Sequence, residues 1–466
     1  MKRKFIFKLL SVFTAMIFLL QGLVCAAVEA EIKLKGDVNA DGVTDISDVV
    51  LIRAYIVSNR TFTAEQYMAA DVTKDNIIDI TDVVAIRYII VNPITDTEVM
   101  YGVWFSYLDF NSLLKGKDET NFSLNFQNVI DNCKNIGINT LIVHARSHGD
   151  AFYESSLFPT SSYLSGTLGK DLDYDAFKIM VDMCHKNGIK VHAWVNPLRL
   201  QSANEMQGLS DSYILKQWYS TKNGTYVVNV NESYYLNCAY DEVRQFVCDG
   251  IAEIVNNYEV DGIHIDDYFY PTTESYYDAD AFESSGYTDL SEFRLSVISH
   301  LVSSIYSTIK SIDSNVLFGV SPQGNISNNY NNQFADVRRW CSEKGFIDYI
   351  APQIYYGFKN KTSPFEKTAS QWQEIVSESD VKLVCGLATY KIGKTDTYAG
   401  SQDAQSEWIT EENIVARQMQ YLSSTSYYDG VLFFRYDLLF NPQESLKPSV
   451  DTELNAIKQE IIKEEH

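Results

Sequence analysis

The 466 residues carry a formal net charge of −23, which makes nucleic acid and anionic lipid poor partners and excludes both from the expected function. Aromatic residues make up 13% of the chain, with 31 Tyr and 6 Trp. That is rich even for a large core, and flat rings of this kind suit sugar-binding clefts. The N-terminal stretch has Lys2, Arg3, Lys4 and Lys8, then an apolar run from Leu9 to Leu20, then small residues at Ala26 and Ala30. This pattern predicts a secretory signal peptide over residues 1–26, cleaved after Ala26 or Ala30, and a secreted, extracellular protein. Val24 before Cys25 argues against a lipid anchor, and no later apolar run predicts a membrane span.

Two acidic loops come next, DVNADGVTDISD over 37–48 and DVTKDNIIDITD over 71–82, starting 34 residues apart. Positions one, three, five, nine and twelve are Asp37, Asn39, Asp41, Asp45 and Asp48 in the first loop and Asp71, Thr73, Asp75, Asp79 and Asp82 in the second. Oxygen ligands at that spacing wrap a hard cation, so two Ca²⁺ sites are expected. Each loop leads into an apolar, Arg-containing helical stretch, VVLIRAYIV and VVAIRYII, and no helix is expected to enter either loop. The duplicated pattern resembles the dockerin family over residues 34–92. The resemblance implies a small all-α module that docks on a cohesin domain of a scaffold protein, as in cellulosomes. Position analogy places the partner-facing residues at Ile46, Ser47, Arg53, Ile80, Thr81 and Arg87.

After a linker over 93–100, residues 101–463 alternate short apolar runs with helical stretches. The runs are YGVWFSY, NTLIVHAR, KVHAWVNP, DGIHIDDYFYP, LFGVSPQG, DYIAPQIYYG, KLVCGLATYK and DGVLFFRY. Eight such units predict an α/β fold, a (β/α)₈ TIM barrel, with 147–172 and 198–236 as long loops over its top face. Cys133, Cys184, Cys238, Cys248, Cys341 and Cys385 are scattered through these elements and are expected to be free and buried.

The strand ends gather polar and aromatic residues on one rim: Trp104, His144, Arg146, Asp150, Trp194, Asn196, His264, Gln353, Tyr355 and Arg435 are the candidate substrate-binding residues. In DGIHIDDYFYP, alternation puts His264 and Asp266 on the face that Ile263 and Ile265 avoid, so Asp266 aims into the barrel mouth and Asp267 starts the loop. A carboxylate there is the type of residue glycoside hydrolysis requires, as nucleophile or as a base, opposite a second carboxyl acting as acid. The competing expectation is a buried network joining Asp266 to Arg146 or His264.

The strings HARSHGDAFYESSLFP, HAWVNPLR, YYLNCAYDEVRQFV, DGIHIDDYFYP, FGVSPQGN and DYIAPQIYYG resemble the glycosyl-hydrolase-like family ten domain over about residues 100–440. The resemblance implies a TIM barrel that hydrolyses O-glycosidic bonds, with at least one member acting on peptidoglycan strands. It carries Asp266 over as catalytic and Asp150, Asn196, Asp267 and Gln353 as substrate contacts. The partner carboxylate is sought at Asp267, Asp150, Glu154 and Asp109, in that order, making Asp266 and Asp267 the catalytic pair. The expected function is a scaffold-associated glycoside hydrolase on a polysaccharide, with no cofactor required for catalysis. The alternatives are a non-catalytic carbohydrate-binding barrel, a peptidoglycan glycan-strand hydrolase, or a metal-dependent esterase or deacetylase on the same barrel.

Overall fold

Several helices in this chain start on oxygen-bearing caps, among them Asp118, Asp175 and Asp289, and some stop on a left-handed glycine such as Gly137, Gly166 or Gly286. The helix Glu119–Ile136 shows both: Asp118 accepts a hydrogen bond from the Asn121 amide, and Gly137 ends it at φ 86°. A Cβ on Gly137 would sit 2.7 Å from Ile461, so only glycine fits the turn. Its apolar face, from Phe122 through Phe126, Val129, Ile130 and Cys133, is buried against the sheet.

The computed structural model describes residues 36–40, 44–57, 60–72, 77–80, 82–83, 86–87, 99–377, 379–425 and 427–464. The expected signal peptide and the centres of the two acidic loops, with Asp41, Thr73, Asp75 and Thr81, lie outside them. The chain divides into two compact units, Met1–Glu98 and Val99–His466.

The large unit is a closed barrel of eight parallel strands: β1 (Met100–Phe105), β2 (Thr140–Arg146), β3 (Lys190–Val195), β4 (Gly262–Ile265), β5 (Leu317–Val320), β6 (Tyr349–Ile350), β7 (Lys382–Leu387) and β8 (Gly430–Phe433). Strands pair with their sequence neighbours, and β1 closes the ring by pairing with both β2 and β8, Gly102 opposite Thr140 and Leu432. This is the (β/α)₈ barrel that the eight runs predict, but the strands are shorter than the runs. DGIHIDDYFYP contributes only Gly262–Ile265 to the sheet, and Asp266 onward is loop.

The barrel's interior is not purely apolar. Trp104, Ile142, Trp194, Tyr349, Val384 and Leu432 pack there as a cluster of their own. Through it runs a polar chain: Trp104 Nε1 donates to His264 Nε2 at 3.2 Å, and Tyr349 Oη lies 2.8 Å from His264 Nδ1 and 2.9 Å from His192 Nδ1. An indole can only donate, so His264 keeps its proton on Nδ1 and gives it to Tyr349, which in turn donates to His192. Burial pulls both imidazoles down, His192 to about 4, so the chain is uncharged. Room for it comes from two glycines. A Cβ on Gly262 would meet the His192 ring at 2.6 Å, and one on Gly319 would run into the Tyr349 ring.

Between β3 and β4 the expected loop 198–236 is a folded insertion. Strands Arg199–Ser202, Val227–Val230 and Ser233–Leu236 form an antiparallel sheet, accompanied by helices Ala203–Gly208 and Ile214–Thr221. All six cysteines of the barrel unit are free and buried. No helix among the described residues is long and apolar enough to cross a membrane.

The small unit has its own core of Val38, Val49, Ile52, Ala70, Val72, Ile78, Val83 and Ile86. The pairs Val38 and Val72, Val49 and Val83, and Ile52 and Ile86 keep the 34-residue spacing, so the two repeats supply equivalent core positions. Asp45 caps helix Ile46–Ile56 in a capping box with Asp48, and Asp48 also accepts from the Val38 and Asn39 amides at 2.8 and 3.0 Å, closing the loop. In the second repeat Asp82 likewise accepts from the Asp79 amide at 2.9 Å. The expectation of no entering helix is corrected. Ala64–Ala70 is helical ahead of the second loop, started by a capping box of Thr63 and Gln66.

Candidate active site

Parallel strands deliver their last side chains to one end of the barrel. There the chain forms a cleft of about 300 Å³. Its aromatic walls include Trp104 from β1, Trp194 from β3, Tyr355, Tyr390 and Phe434. Its only carboxylates among the described residues are Asp266 and Asp267, consecutive at the exit of β4.

The two carboxyls differ in their surroundings. Asp266 is 5% exposed, and its Oδ1 accepts only the Tyr268 amide, at 3.3 Å. Burial, and then the neighbouring Asp267 charge, push its pKa well above the carboxylate range, against weaker opposition from Tyr268, Arg199 and Trp194. Asp267 is half-buried, and burial raises it too, but hydrogen bonds from Gln323, Gln353 and Gln333 oppose the rise. Gln353 Nε2 reaches Asp267 Oδ1 at 3.3 Å and is itself anchored on the Ser321 carbonyl at 3.1 Å. Burial therefore lifts both carboxyls, Asp266 the further, while glutamine amides restrain the rise at Asp267.

Around the pair, several buried polar atoms have no hydrogen-bond partner among the described residues. They are His144 Nε2, Trp194 Nε1, Asn196 Oδ1 and Ser321 Oγ. The Tyr107 amide donates to His144 Nδ1 at 3.0 Å, which fixes the proton on Nε2, and burial holds the ring neutral. His144 stacks on Trp194 with centroids 3.4 Å apart. Buried donors and acceptors without partners among the described residues suit a ligand rich in hydroxyls.

Of the residues that the sequence singles out, Asp266, Asp267, Trp104, His144, Trp194, Asn196, Gln353 and Tyr355 line this cleft. Four others do not. His264 lies below it and holds Trp104 from beneath. Arg146 is buried against Phe158, its guanidinium 4.4 Å from the ring, and donates to the Pro197 carbonyl at 3.2 Å. Arg435 is paired with Asp109, which also accepts from Ser106 and the Asp437 amide. Asp150 is bound by the Ser147 and His148 amides at 3.1 and 2.8 Å and lines a neighbouring cavity. Asp109, Asp150 and Glu154 thus stand outside the cleft, and no contact joins Asp266 to Arg146 or His264 among the described residues. The cleft also includes Tyr107, Leu108, Tyr268 and Phe434, which strand-end reading passes over. Only the aromatic run YFY after Asp267 signals any of them in the sequence.

In the small unit Asp37, Asn39, Asp45 and Asp48 bring oxygen donors to the first loop, and Asp71, Asp79 and Asp82 to the second. An all-oxygen donor set fits Ca²⁺. Ile46 and Ile80 are each 62% exposed, and Arg53 and Arg87 are exposed as well. Ser47 is tied down, its Oγ 2.6 Å from Asp45 Oδ1.

A family model described as glycosyl hydrolase-like 10 matches residues 99–405, and one described as dockerin type I domain matches residues 35–90. The chain is 30% identical over 341 residues to glycosyl hydrolase DigH of Escherichia coli K12, covering 67% of this chain and 75% of that one. It is 31% identical over 349 residues to glycosyl hydrolase YngK of Bacillus subtilis, covering 70% of this chain and 65% of that one. Among solved structures, alpha-L-fucosidase isoenzyme 2 from Paenibacillus thiaminolyticus superposes with a TM-score of 0.50 at 13% identity, covering 78% of this chain and 50% of that one. That likeness speaks for the barrel fold alone.

Proposed function

The chain belongs to the glycosyl hydrolase-like 10 family and carries a type I dockerin domain, and from that premise we propose a secreted, scaffold-borne glycoside hydrolase that cleaves O-glycosidic bonds in a polysaccharide. The observation that carries this reading is the pair of consecutive carboxyls, alone in an aromatic cleft, with environments that separate their protonation. Asp266, which favours its proton, is the general acid that protonates the leaving oxygen. Asp267, where glutamine amides oppose the rise that burial causes, is the carboxylate that faces the positive charge developing at the sugar's anomeric carbon. Trp104, Trp194 and Tyr355 offer stacking faces, and His144 and Asn196 offer polar contacts to sugar hydroxyls.

Type I dockerin domains bind calcium. In this one the loop residues Asp37, Asn39, Asp45 and Asp48, with Asp71, Asp79 and Asp82, are proposed as ligands, and the exposed Ile46, Arg53, Ile80 and Arg87 as the cohesin-facing residues. The cation would draw each loop together; catalysis is assigned to barrel residues alone.

Asp266→Asn tests the assignment. Products released from hemicelluloses and from peptide-free peptidoglycan are measured together with glycan affinity. Hydrolysis should fall by at least about 10³-fold while affinity stays within about threefold. Unchanged turnover in the variant would remove Asp266 from the reaction.

A further inference from the structure

The central cleft has a neighbour whose polar lining is of a different kind. Between the loop after β2 and the antiparallel sheet lies a second cavity of about 230 Å³, and Arg199 lines both, so the two adjoin. Asp150, Glu205 and Glu232 line this cavity, against Arg199 as its one cation among the described residues. The Arg199 guanidinium lies 4.9 Å from the centroid of the Tyr268 ring, which belongs to the central cleft. Burial pulls His148 down to about 4, so that ring adds no positive charge. Three carboxylates therefore share one guanidinium.

The most buried polar groups of the lining are acceptors. Gln201 is 3% exposed, and its Nε2 donates to the Gly149 carbonyl at 2.8 Å. A carbonyl only accepts, so the amide orientation is fixed, and Gln201 Oε1 has no partner among the described residues. Asp150 is 2% exposed. Its Oδ1 accepts from the Ser147 amide and hydroxyl and the His148 amide, at 3.1, 3.2 and 2.8 Å, while its Oδ2 makes no hydrogen bond among the described residues. Glu205 spends only Oε2, on the Ser202 amide and hydroxyl at 3.2 and 2.6 Å, and the exposed Glu232 has neither an ion pair nor a hydrogen bond among the described residues. The central cleft leaves donors and acceptors together, as sugar hydroxyls require. Here the unspent buried oxygens can only accept, so a ligand that meets them has to donate. An ammonium brings three donors, no acceptor, and the charge that the surplus carboxylates lack.

We propose that this cavity binds the primary ammonium of an amino sugar, one without its acetyl group, in the stretch of glycan that leaves the central cleft beside Arg199. This rests on the hydrolase reading of that cleft.

The test uses the full chain with calcium, on short glucosamine oligosaccharides, each beside its N-acetylated counterpart, at a pH below the amine's pKa. Calorimetric binding is read on these, and product release on the same sugars, on hemicelluloses and on peptidoglycan. The glucosamine form should bind about tenfold or more tightly than the acetylated form, at one site per chain, and Glu205→Gln combined with Glu232→Gln should bring that ratio to within about twofold. Glutamine at 205 still accepts from Ser202 at the start of helix Ala203–Gly208, so the double variant changes charge and keeps the cap. Equal binding of the two forms, absence of binding to either, or an unchanged ratio in the folded double variant would each overturn the proposal. The last result would trace the preference to the net charge of the whole chain, −23. Amine-preferring binding that the double variant loses, with no product from any of the glycans, would remove the hydrolase reading and leave the cavity's role standing.

Discussion

Asp266 and Asp267 are adjacent in sequence, yet their electrostatics separate them. Part of the rise at Asp266 comes from the charge of its neighbour, after burial. Asp267→Asn removes that charge, so the Asp266 carboxyl should titrate at a lower pH than in the wild-type protein; carbon-13 NMR of the carboxyl reads the shift directly. An unmoved titration would mean that burial alone sets its proton affinity. In the wild-type enzyme, activity should fail on the acid side as Asp267 gains a proton and on the alkaline side as Asp266 loses one. The sequence makes Asp266 legible because a β-strand alternates its faces, and His264 shares its face for the same reason. Alternation says nothing of depth. His264 sits two residues lower, about 7 Å down the strand, and so ends in the barrel's interior under Trp104 instead of in the cleft.

At the scale of elements, helix Lys447–Glu464 contributes one carboxyl with a conspicuous position. Glu453 is buried, and it accepts the Ala416 amide at 2.9 Å at the start of helix Ile414–Ser423. Burial raises its pKa to about 7, against the helix amides that favour its charge. Its folded pKa lies above the unfolded value, so the folded state binds the proton more tightly. Stability should therefore fall as pH rises from the unfolded pKa to about 7 and stay level beyond it. Glu453→Gln removes that loss: thermal unfolding should match the wild type near pH 5 and exceed it near pH 8, by up to about 3 kcal/mol. A lower melting temperature at both pH values would contradict this.

Element recognition in the sequence succeeds and fails for reasons of the same kind. The eight strands are visible because they are apolar, bounded by helix-stopping turns, and evenly repeated. The insertion at 198–236 is invisible as a sheet because its hairpin turns at Asn231 and Glu232, both at positive φ. Such a turn ordinarily announces itself with glycine. The short helix Ala64–Ala70 carried a readable signal, a Thr63 and Gln66 capping box, but only seven residues to display a period.

For the molecule as a whole, the two compact units have separate cores. Among the described residues the small one buries eight apolar side chains around its two acidic loops, and a unit of this size commonly needs a metal to hold its fold. Chelation with EGTA should therefore unfold the dockerin and end cohesin binding, as read by circular dichroism and native gel shift, while glycan hydrolysis by the barrel continues. Loss of hydrolysis on chelation would contradict the separation of roles.

The six free thiols of the barrel bear on where such an enzyme can work. All are buried, and burial pushes those thiols away from the reactive thiolate form, Cys238 and Cys341 to about 12. None forms a disulfide, so strand pairing and packing close the ring with no covalent cross-link. Folding asks for no oxidant, and the finished barrel offers none of these sulfurs to one. Its melting temperature should be the same in dithiothreitol as in air, which leaves the enzyme indifferent to the redox potential of the medium around its substrate.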